Sequence, residues 1–301
     1  MTERLLPLRS IVKPTGSIYL HCDPTASHYI KVMMDGIFGH DNFQNEIIWK
    51  RTGSHGGSKK WGPIHDVILF YSRSKSFTWN KIYQDYDQKY LDDYYRFEDQ
   101  RGRYSLVTLT GAGTSSGDSG TSWRGVDPTE SGRHWAVPRT ALEREYPDRD
   151  LSKLTTQEKL DLLDRANLLY WPSRGKIPRQ KRYIDEAHGV QIQDMISDIR
   201  PIGSQAKERL GYATQKPVAL LERIISASSN KGDTVFDPFC GCATTIEAAE
   251  KLGRKWIGVD IAIHAIKRVA QIRLEDRLGL CEGRDFIIEG VPHTLEGAQD
   301  L

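Results

Sequence analysis

The sequence contains no apolar run near the ~20 residues that a membrane-spanning helix needs, so it offers no candidate helical span and no membrane partner is expected. Cysteine is scarce. The four present, Cys22, Cys240, Cys242 and Cys281, follow no framework spacing, which excludes a disulfide-stapled scaffold and leads us to expect reduced thiols in a cytoplasmic protein. The opening MTERLLPLRSIVKPTG is broken by charge and proline too early to read as a secretory signal. A charge bias is missing as well: 42 Lys and Arg against 40 Asp and Glu leave +2, which by itself selects no partner. No internal repeat or low-complexity tract is visible, which sets aside solenoids and flexible linkers.

What is present is 301 residues with 38% hydrophobic content, enough for one large domain or one domain with a sizeable insertion. The positive charge is unevenly placed. Segments 50–61 (KRTGSHGGSKKW) and 173–183 (SRGKIPRQKRY) carry cations and no acid, so each suits a phosphate backbone, with two solvated loops as the plain alternative.

Three zones differ in texture: 1–80, 81–200 and 201–301. In the first, Ser17 to Cys22 reads as a buried strand after a Lys13–Gly16 turn. His28 to Phe38 has helical spacing, and Asn45–Lys50 and Asp66–Ser72 read as strands joined by a Gly/Ser/Lys loop. The middle zone has poor periodicity apart from one amphipathic helix at Thr156 to Ala166. Its Trp123, Trp135, Trp171 and many tyrosines mark it as a folded insertion, because disordered chains are poor in aromatics. The last zone alternates regularly: helix Pro217–Ser229, strand Thr234–Asp237, helix Thr244–Leu252, strand Lys255–Val259 and a long helix Ile263–Leu278.

The densest signal is strand, DPFCGCATT, helix, GVD. A buried strand ends at Asp237, a small-residue turn leads into a helix, and a second strand ends at Asp260, 19 residues after Gly241. Small residues let backbone approach a ligand at the strand ends, and an acid after the next strand can accept from ribose hydroxyls. A structural βαβ unit with a merely tight loop is the alternative. A dinucleotide site is disfavoured, because the full Gly-x-Gly-x-x-Gly is absent and Pro238 follows Asp237.

Asp237-Pro238-Phe239-Cys240-Gly241-Cys242-Ala243-Thr244 resembles the S-adenosylmethionine motif D-P-F-x-G-x-G-T of bacterial site-specific DNA amino-methyltransferases, which methylate the exocyclic amino group of adenine or cytosine. Thr214-Gln215-Lys216-Pro217 is similar to the family segment lining the methionine end of the cofactor. Gly16 to Asp23 with His28-Tyr29, Asn45 to Arg51, and His65 to Tyr71 resemble further segments of the permuted subclass, in which the cofactor motif lies near the C-terminus. The resemblance spans nearly the whole chain. It implies an α/β, Rossmann-like methyltransferase fold, with 1–80 and 201–301 contributing to the sheet and 81–200 an inserted target-recognition region. It also implies S-adenosylmethionine as cofactor, held by Asp237, Pro238, Phe239, Gly241, Thr244 and Asp260, with Thr214 and Lys216 at the methionine end. The partner it implies is double-stranded DNA, and the residues expected to touch it are Lys50, Arg51, His55, Lys59, Lys60, Arg179, Lys181 and Arg182. The expected activity is methyl transfer to a base amino group, adenine ahead of cytosine, within a restriction-modification system. The alternatives are an inactive DNA- and cofactor-binding protein, and methylation of RNA or protein amides.

Two departures follow. The family's second loop glycine is Ala243: at positive φ its methyl costs on the order of 1 kcal/mol, whereas in helical φ/ψ it is harmless. The catalytic D-P-P-Y or D-P-P-F loop, which holds the target base, has no counterpart, since Asp237-Pro238-Phe239 belongs to the cofactor loop and Asp23-Pro24-Thr25 lacks the second proline and the aromatic. The catalytic residues therefore stay unassigned, and a sheet short of a central strand is expected. A second polypeptide, N-terminal truncation or closure into a smaller sheet would each account for it, and the first two are favoured.

The remaining candidates have plainer readings. Cys240-x-Cys242 lacks partners for a metal site, and Cys22 beside His21 and Asp23 reads as structural rather than nucleophilic. Arg124, Arg133, Arg174, Arg179, Lys181 and Arg182 lie in or beside the insertion and are its candidate DNA-reading cations, while its tryptophans read as core.

Overall fold

The computed structural model describes residues 2–54, 57, 59–173, 177–186 and 189–290. The chain divides into two compact units, Met1–Ile82 with Gln191–Leu301, and Tyr83–Val190. The first begins with α1 (Thr2–Ile11), β1 (Ser17–Cys22), α2 (Pro24–Phe38), β2 (Phe43–Lys50) and β3 (His65–Ser72). The second contains β4 (Tyr83–Gln84), α3 (Gln88–Tyr94), β5 (Phe97–Asp99), β6 (Gly102–Thr108), β7 (Thr110–Ala112), β8 (Arg133–Trp135), α4 (Arg139–Glu145), α5 (Thr156–Arg165), β9 (Leu169–Tyr170) and β10 (Arg179–Tyr183), with β11 (Val190–Gln191) at the boundary. The first unit resumes with β12 (Met195–Ile196), α6 (Val218–Ser228), β13 (Thr234–Asp237), α7 (Thr244–Lys251), β14 (Lys255–Gly258) and α8 (Ile263–Arg268), which runs into a π-helical stretch, Val269–Arg277. No described helix is long and apolar enough to cross a membrane.

Local chemistry explains where these elements start. Asp23 caps α2, its Oδ1 accepting from the Thr25 and Ala26 amides at 2.7 and 3.2 Å, and Pro24 occupies the first turn. The helix therefore starts four residues before the spacing-based expectation of His28, because the cap sits upstream of the first apolar contact. Helix α1 was not anticipated: Pro7 lies inside it, and Leu5 is the residue it buries.

Strand β3 is the interior of a four-stranded sheet of order β1-β3-β2-β12, antiparallel to β1 and β2, with β12 parallel to β2. Its residues from Asp66 to Ser72 are all buried, as a strand covered on both faces requires. Period-2 alternation sends Val67, Leu69 and Tyr71 into a core with α1 and α2, and Ile68 into one with Trp49, Ile196 and Leu220 of α6. Helix α6 also packs Val218 and Ile225 against Ala248 and Ala249 of α7. It thus links the four-stranded sheet to the parallel pair β13–β14 that carries the loop of interest. Among the described residues no ladder joins that pair to β1, which is an edge strand of its own sheet.

The second unit is built around an antiparallel sheet of order β5-β6-β10-β9 and the antiparallel pair β7–β8. Helix α5 opens with a capping box, Thr155 and Glu158 exchanging side-chain and backbone bonds, and lays Leu160 and Leu163 against Trp123, Trp135 and Tyr183. Trp171 lies outside this core, half exposed and stacked on Trp123 at 5.5 Å. Short strands rich in Arg and Tyr hid this sheet from periodicity.

Candidate cofactor loop and nucleic-acid face

The loop between β13 and α7 is fixed by two carboxylates. Asp237 accepts from the Phe239 amide at 3.0 Å through Oδ1 and from the Thr245 hydroxyl at 2.5 Å through Oδ2. Asp260, just beyond β14, accepts from the Gly241 amide at 2.7 Å and from the Ala262 amide at 2.8 Å. Gly241 has φ 50°, and a Cβ there would meet Tyr212 Cε1 at 3.1 Å, so the turn is both left-handed and close to its neighbour. Ala243 resolves the question its sequence position posed: φ is 53° and ψ 35°, in the left-handed region, with its methyl fully buried. An alanine holds a glycine's conformation there, at a strain of about 1–2 kcal/mol. Pro238 is half-buried, Phe239 is exposed with the Arg4 guanidinium 5.4 Å from its ring centre, and Thr244 is buried with its hydroxyl 3.5 Å from Cys242 Sγ.

Beneath the loop lies a charge pair absent from the sequence reading. The Arg273 guanidinium, 0% exposed, donates through Nη1 to Glu247 Oε2 in α7, and Nη2 lies 4.0 Å from Cys242 Sγ. The other Glu247 oxygen accepts from Lys251 at 2.7 Å. Arg273 sits in the π-helical stretch, where the widened spiral replaces the regular long helix expected to Leu278. Helical periodicity assigns no role to an arginine there.

A second cluster joins β1, β3 and the segment before α6. His21 Nε2 lies 2.9 Å from Asp66 Oδ2, and Arg51 Nε 3.2 Å from Asp66 Oδ1. Burial holds the His21 pKa below its ordinary value, reinforced by the Lys216 charge and opposed by Asp66. Burial also lowers the Lys216 pKa, with Asp66, Arg51 and Cys242 within its electrostatic reach. Lys216 is thus brought into the neighbourhood of the loop, its ammonium donating to the Thr214 carbonyl at 3.1 Å, while the Thr214 residue itself is exposed. The nearby thiols are held protonated: burial raises Cys22 to about 11 and Cys240 to about 12, aided by adjacent carboxylates, so neither acts as a thiolate at neutral pH.

The cations expected on a nucleic-acid face fare unequally. Lys50, Arg51, Lys59 and Lys60 are exposed, and His55 lies outside the described residues, as does Arg174. Beside the two lysines Trp61 is 98% exposed, a residue that the reading of 50–61 as a basic segment passed over. In the second unit Arg179 and Arg182 are exposed, but on opposite faces of β10, because successive strand side chains alternate. Lys181, expected to meet DNA, is instead 7% exposed, and its ammonium is taken by Asp99 at 2.8 Å and Asn167 at 3.2 Å. A buried, paired ammonium serves its own unit's interior. Arg124 is likewise engaged by Asp161 and Asp164.

A family model described as DNA methylase, of the N6/N4 type, matches residues 1–271. The chain belongs to this DNA methylase family. The type II methyltransferase M.EcaI of Enterobacter cloacae is 33% identical over 270 residues, covering 89% of this chain and 55% of that protein. The Mod subunit of the type III restriction-modification enzyme StyLTI of Salmonella typhimurium is 27% identical over 270 residues, covering 85% of this chain and 38% of its own length. The chain therefore spans about half or less of these two relatives. The DNA adenine methyltransferase YhdJ of Escherichia coli is 57% identical over 56 residues, 19% of each protein.

Proposed function

We propose that this DNA methylase family member transfers a methyl group from S-adenosylmethionine to the exocyclic amino group of a base in double-stranded DNA, as the modification activity of a restriction-modification system. The observation carrying this reading is the β13–α7 loop, a left-handed turn whose Gly241 amide is pinned by the acid that ends the next parallel strand. That donor set suits the cofactor. Each Asp260 oxygen holds one backbone amide and retains a lone pair for a ribose hydroxyl. Lys216 offers a cation to the methionine carboxylate, while Asp237, Pro238, Phe239, Gly241 and Thr244 shape the turn around the ligand. When bound, the cofactor supplies an electrophilic methyl group. Transfer then needs placement of the amino nitrogen more than a nucleophile. Exposed Lys50, Arg51, Lys59 and Lys60 support a DNA-facing surface in the first unit, and the second unit is assigned target recognition.

The base-holding segment is assigned to residues other than these 301, supplied by a second polypeptide or by further chain, in keeping with the edges of β1 and β13, which no ladder pairs among the described residues. Adenine is the assigned target, supported by the local match to a DNA adenine methyltransferase. The test incubates the protein with duplex DNA and methyl-labelled cofactor, alone and with a D-P-P-Y-bearing segment supplied, followed by mass analysis of the digested bases. N6-methyladenine only with the segment present is the expected result. Turnover by the chain alone overturns the assignment of the missing segment, and N4-methylcytosine overturns adenine. Cofactor and DNA binding with no transfer in either case leaves the inactive binding protein as the correct reading.

A further inference from the structure

One face of the second unit's β5-β6-β10-β9 sheet carries an open groove of about 620 Å³ that no assigned role uses. Its walls are apolar and aromatic, with Phe97 and Tyr170 at 5.9 Å between ring centres, beside Leu106 and Pro178. Two arginines, Arg133 and Arg179, line it, and among the described residues no acidic side chain does. Cations without acids fit an anionic polymer, but a phosphate alone has no use for apolar walls, whereas the apolar groups at base edges in a groove, such as a thymine methyl, do.

The two arginines are prepared differently. Arg133, half-buried on β8, donates from Nε to Thr110 Oγ1 at 2.7 Å and from Nη2 to the Thr110 carbonyl at 2.8 Å. One edge of the guanidinium is thereby anchored to β7, and the end formed by Nη1 and the second Nη2 proton remains open as a fixed two-donor fork. Such a fork matches the paired acceptors O6 and N7 of guanine, and a side chain already held in place loses little entropy on binding. Arg179 is exposed at the start of β10, a placement that suits a phosphate contact.

We propose that this groove is a guanine-reading site of the second unit, with Arg133, held by Thr110, as the specificity-determining residue and Arg179 as a phosphate contact. This rests on the reading of the protein as one that acts on DNA. It is tested by selecting duplexes from a randomised pool with the wild-type protein, Arg133→Ala, Thr110→Val and Arg179→Ala, and by binding the selected duplex with 7-deazaguanine, which lacks the N7 acceptor, at each guanine in turn. The wild type should enrich a sequence in which one guanine, replaced by 7-deazaguanine, weakens binding roughly ten-fold or more. Arg133→Ala should lose preference at that position alone and become indifferent to the replacement, with Thr110→Val shifted the same way. Arg179→Ala should weaken all sequences alike and reduce the salt slope by about 1. Should Arg133→Ala not fold, the analogue on the wild type and Thr110→Val still decide. An unchanged selected sequence in Arg133→Ala, a uniform loss, or indifference of the wild type to every analogue overturns the groove while leaving DNA as substrate. A wild type that enriches no sequence removes the reading on which the groove rests.

Discussion

The Glu247–Arg273 pair behind the cofactor loop allows a prediction with an internal asymmetry. Arg273 is fully buried, its Nε has no hydrogen-bond partner, and Glu247 is its ion-pair partner among the described residues. Glu247 also holds Lys251, whose side chain is 44% exposed. Replacing Glu247 by Gln keeps the shape but leaves a guanidinium in a dry site without a counter-charge, which costs about 3–5 kcal/mol in comparable cases. Replacing Arg273 by Met leaves a carboxylate that still has an ammonium 2.7 Å away and open to solvent. That loss should be smaller, about 1.5–3 kcal/mol, on the scale of one charged hydrogen bond. The double variant Glu247→Leu with Arg273→Met removes both charges and should recover most of the Glu247→Gln loss. Urea unfolding of the four proteins reads these differences, and for a unit of this size Glu247→Gln should lower Tm by on the order of 10 °C. Equal losses in the two single variants, or a Glu247→Gln loss below about 1 kcal/mol, would refute the claim that Arg273 depends on this carboxylate.

Two further outcomes follow from the site. His21 has a folded-state pKa below its ordinary 6.5, so as pH falls the unfolded chain takes up the proton first. Its stability contribution is whole above about pH 6.5 and declines below it, by at most about 1.4 kcal/mol per pH unit. His21→Gln should flatten the pH 6.5 to 5 portion of an unfolding series, and parallel curves for the two proteins would count against the buried neutral imidazole. Ala243→Gly relieves about 1–2 kcal/mol of left-handed strain, loses a buried methyl worth about 0.8 kcal/mol, and gains unfolded-chain freedom worth about 0.4–1 kcal/mol. The net change should fall within about 1 kcal/mol of zero by urea unfolding, and a loss beyond about 2 kcal/mol would show that the turn carries no strain.

The parts legible in the sequence were those whose signal is local. Strands Ser17–Cys22 and Thr234–Asp237 match their expected bounds, and α7 ends one residue early, because caps, turns and apolar runs specify such elements through near neighbours. The spacing singled out Asp260 as an acceptor for ribose hydroxyls, and gave no sign of a bond to the loop. The structure adds that the acid holds the Gly241 amide itself. What stayed hidden depends on distant partners. Lys181 looks like its neighbours Arg179 and Arg182 in one dimension, and only the placement of Asp99, far back in the chain, marks it as interior. The His21–Asp66–Arg51 cluster joins residues from two strands and the loop between β2 and β3, and the Arg133–Thr110 anchor spans an antiparallel pair whose strands are three residues long. No periodicity reports such pairs.

The two separate ladders raise a different question: what holds β13 and β14 to the rest of their unit when no ladder among the described residues does. Helix α6 supplies the answer, because its two faces are claimed by different cores, Leu220 by the four-stranded sheet and Val218 with Ile225 by α7. Its C-terminal end is tied down too. The Asn80 side chain donates to the Ser226 and Ser229 carbonyls at 2.9 Å each, and the Tyr19 hydroxyl of β1 lies 2.5 Å from Ser228 Oγ. The two Asn80 bonds satisfy carbonyls that a helix end leaves open. None of these contacts draws on the outer edges of β1 or β13, which no ladder pairs among the described residues. A strand added at either edge can therefore gain a full ladder without breaking the contacts that hold the cofactor loop in place, which separates the folding of that loop from completion of the sheet.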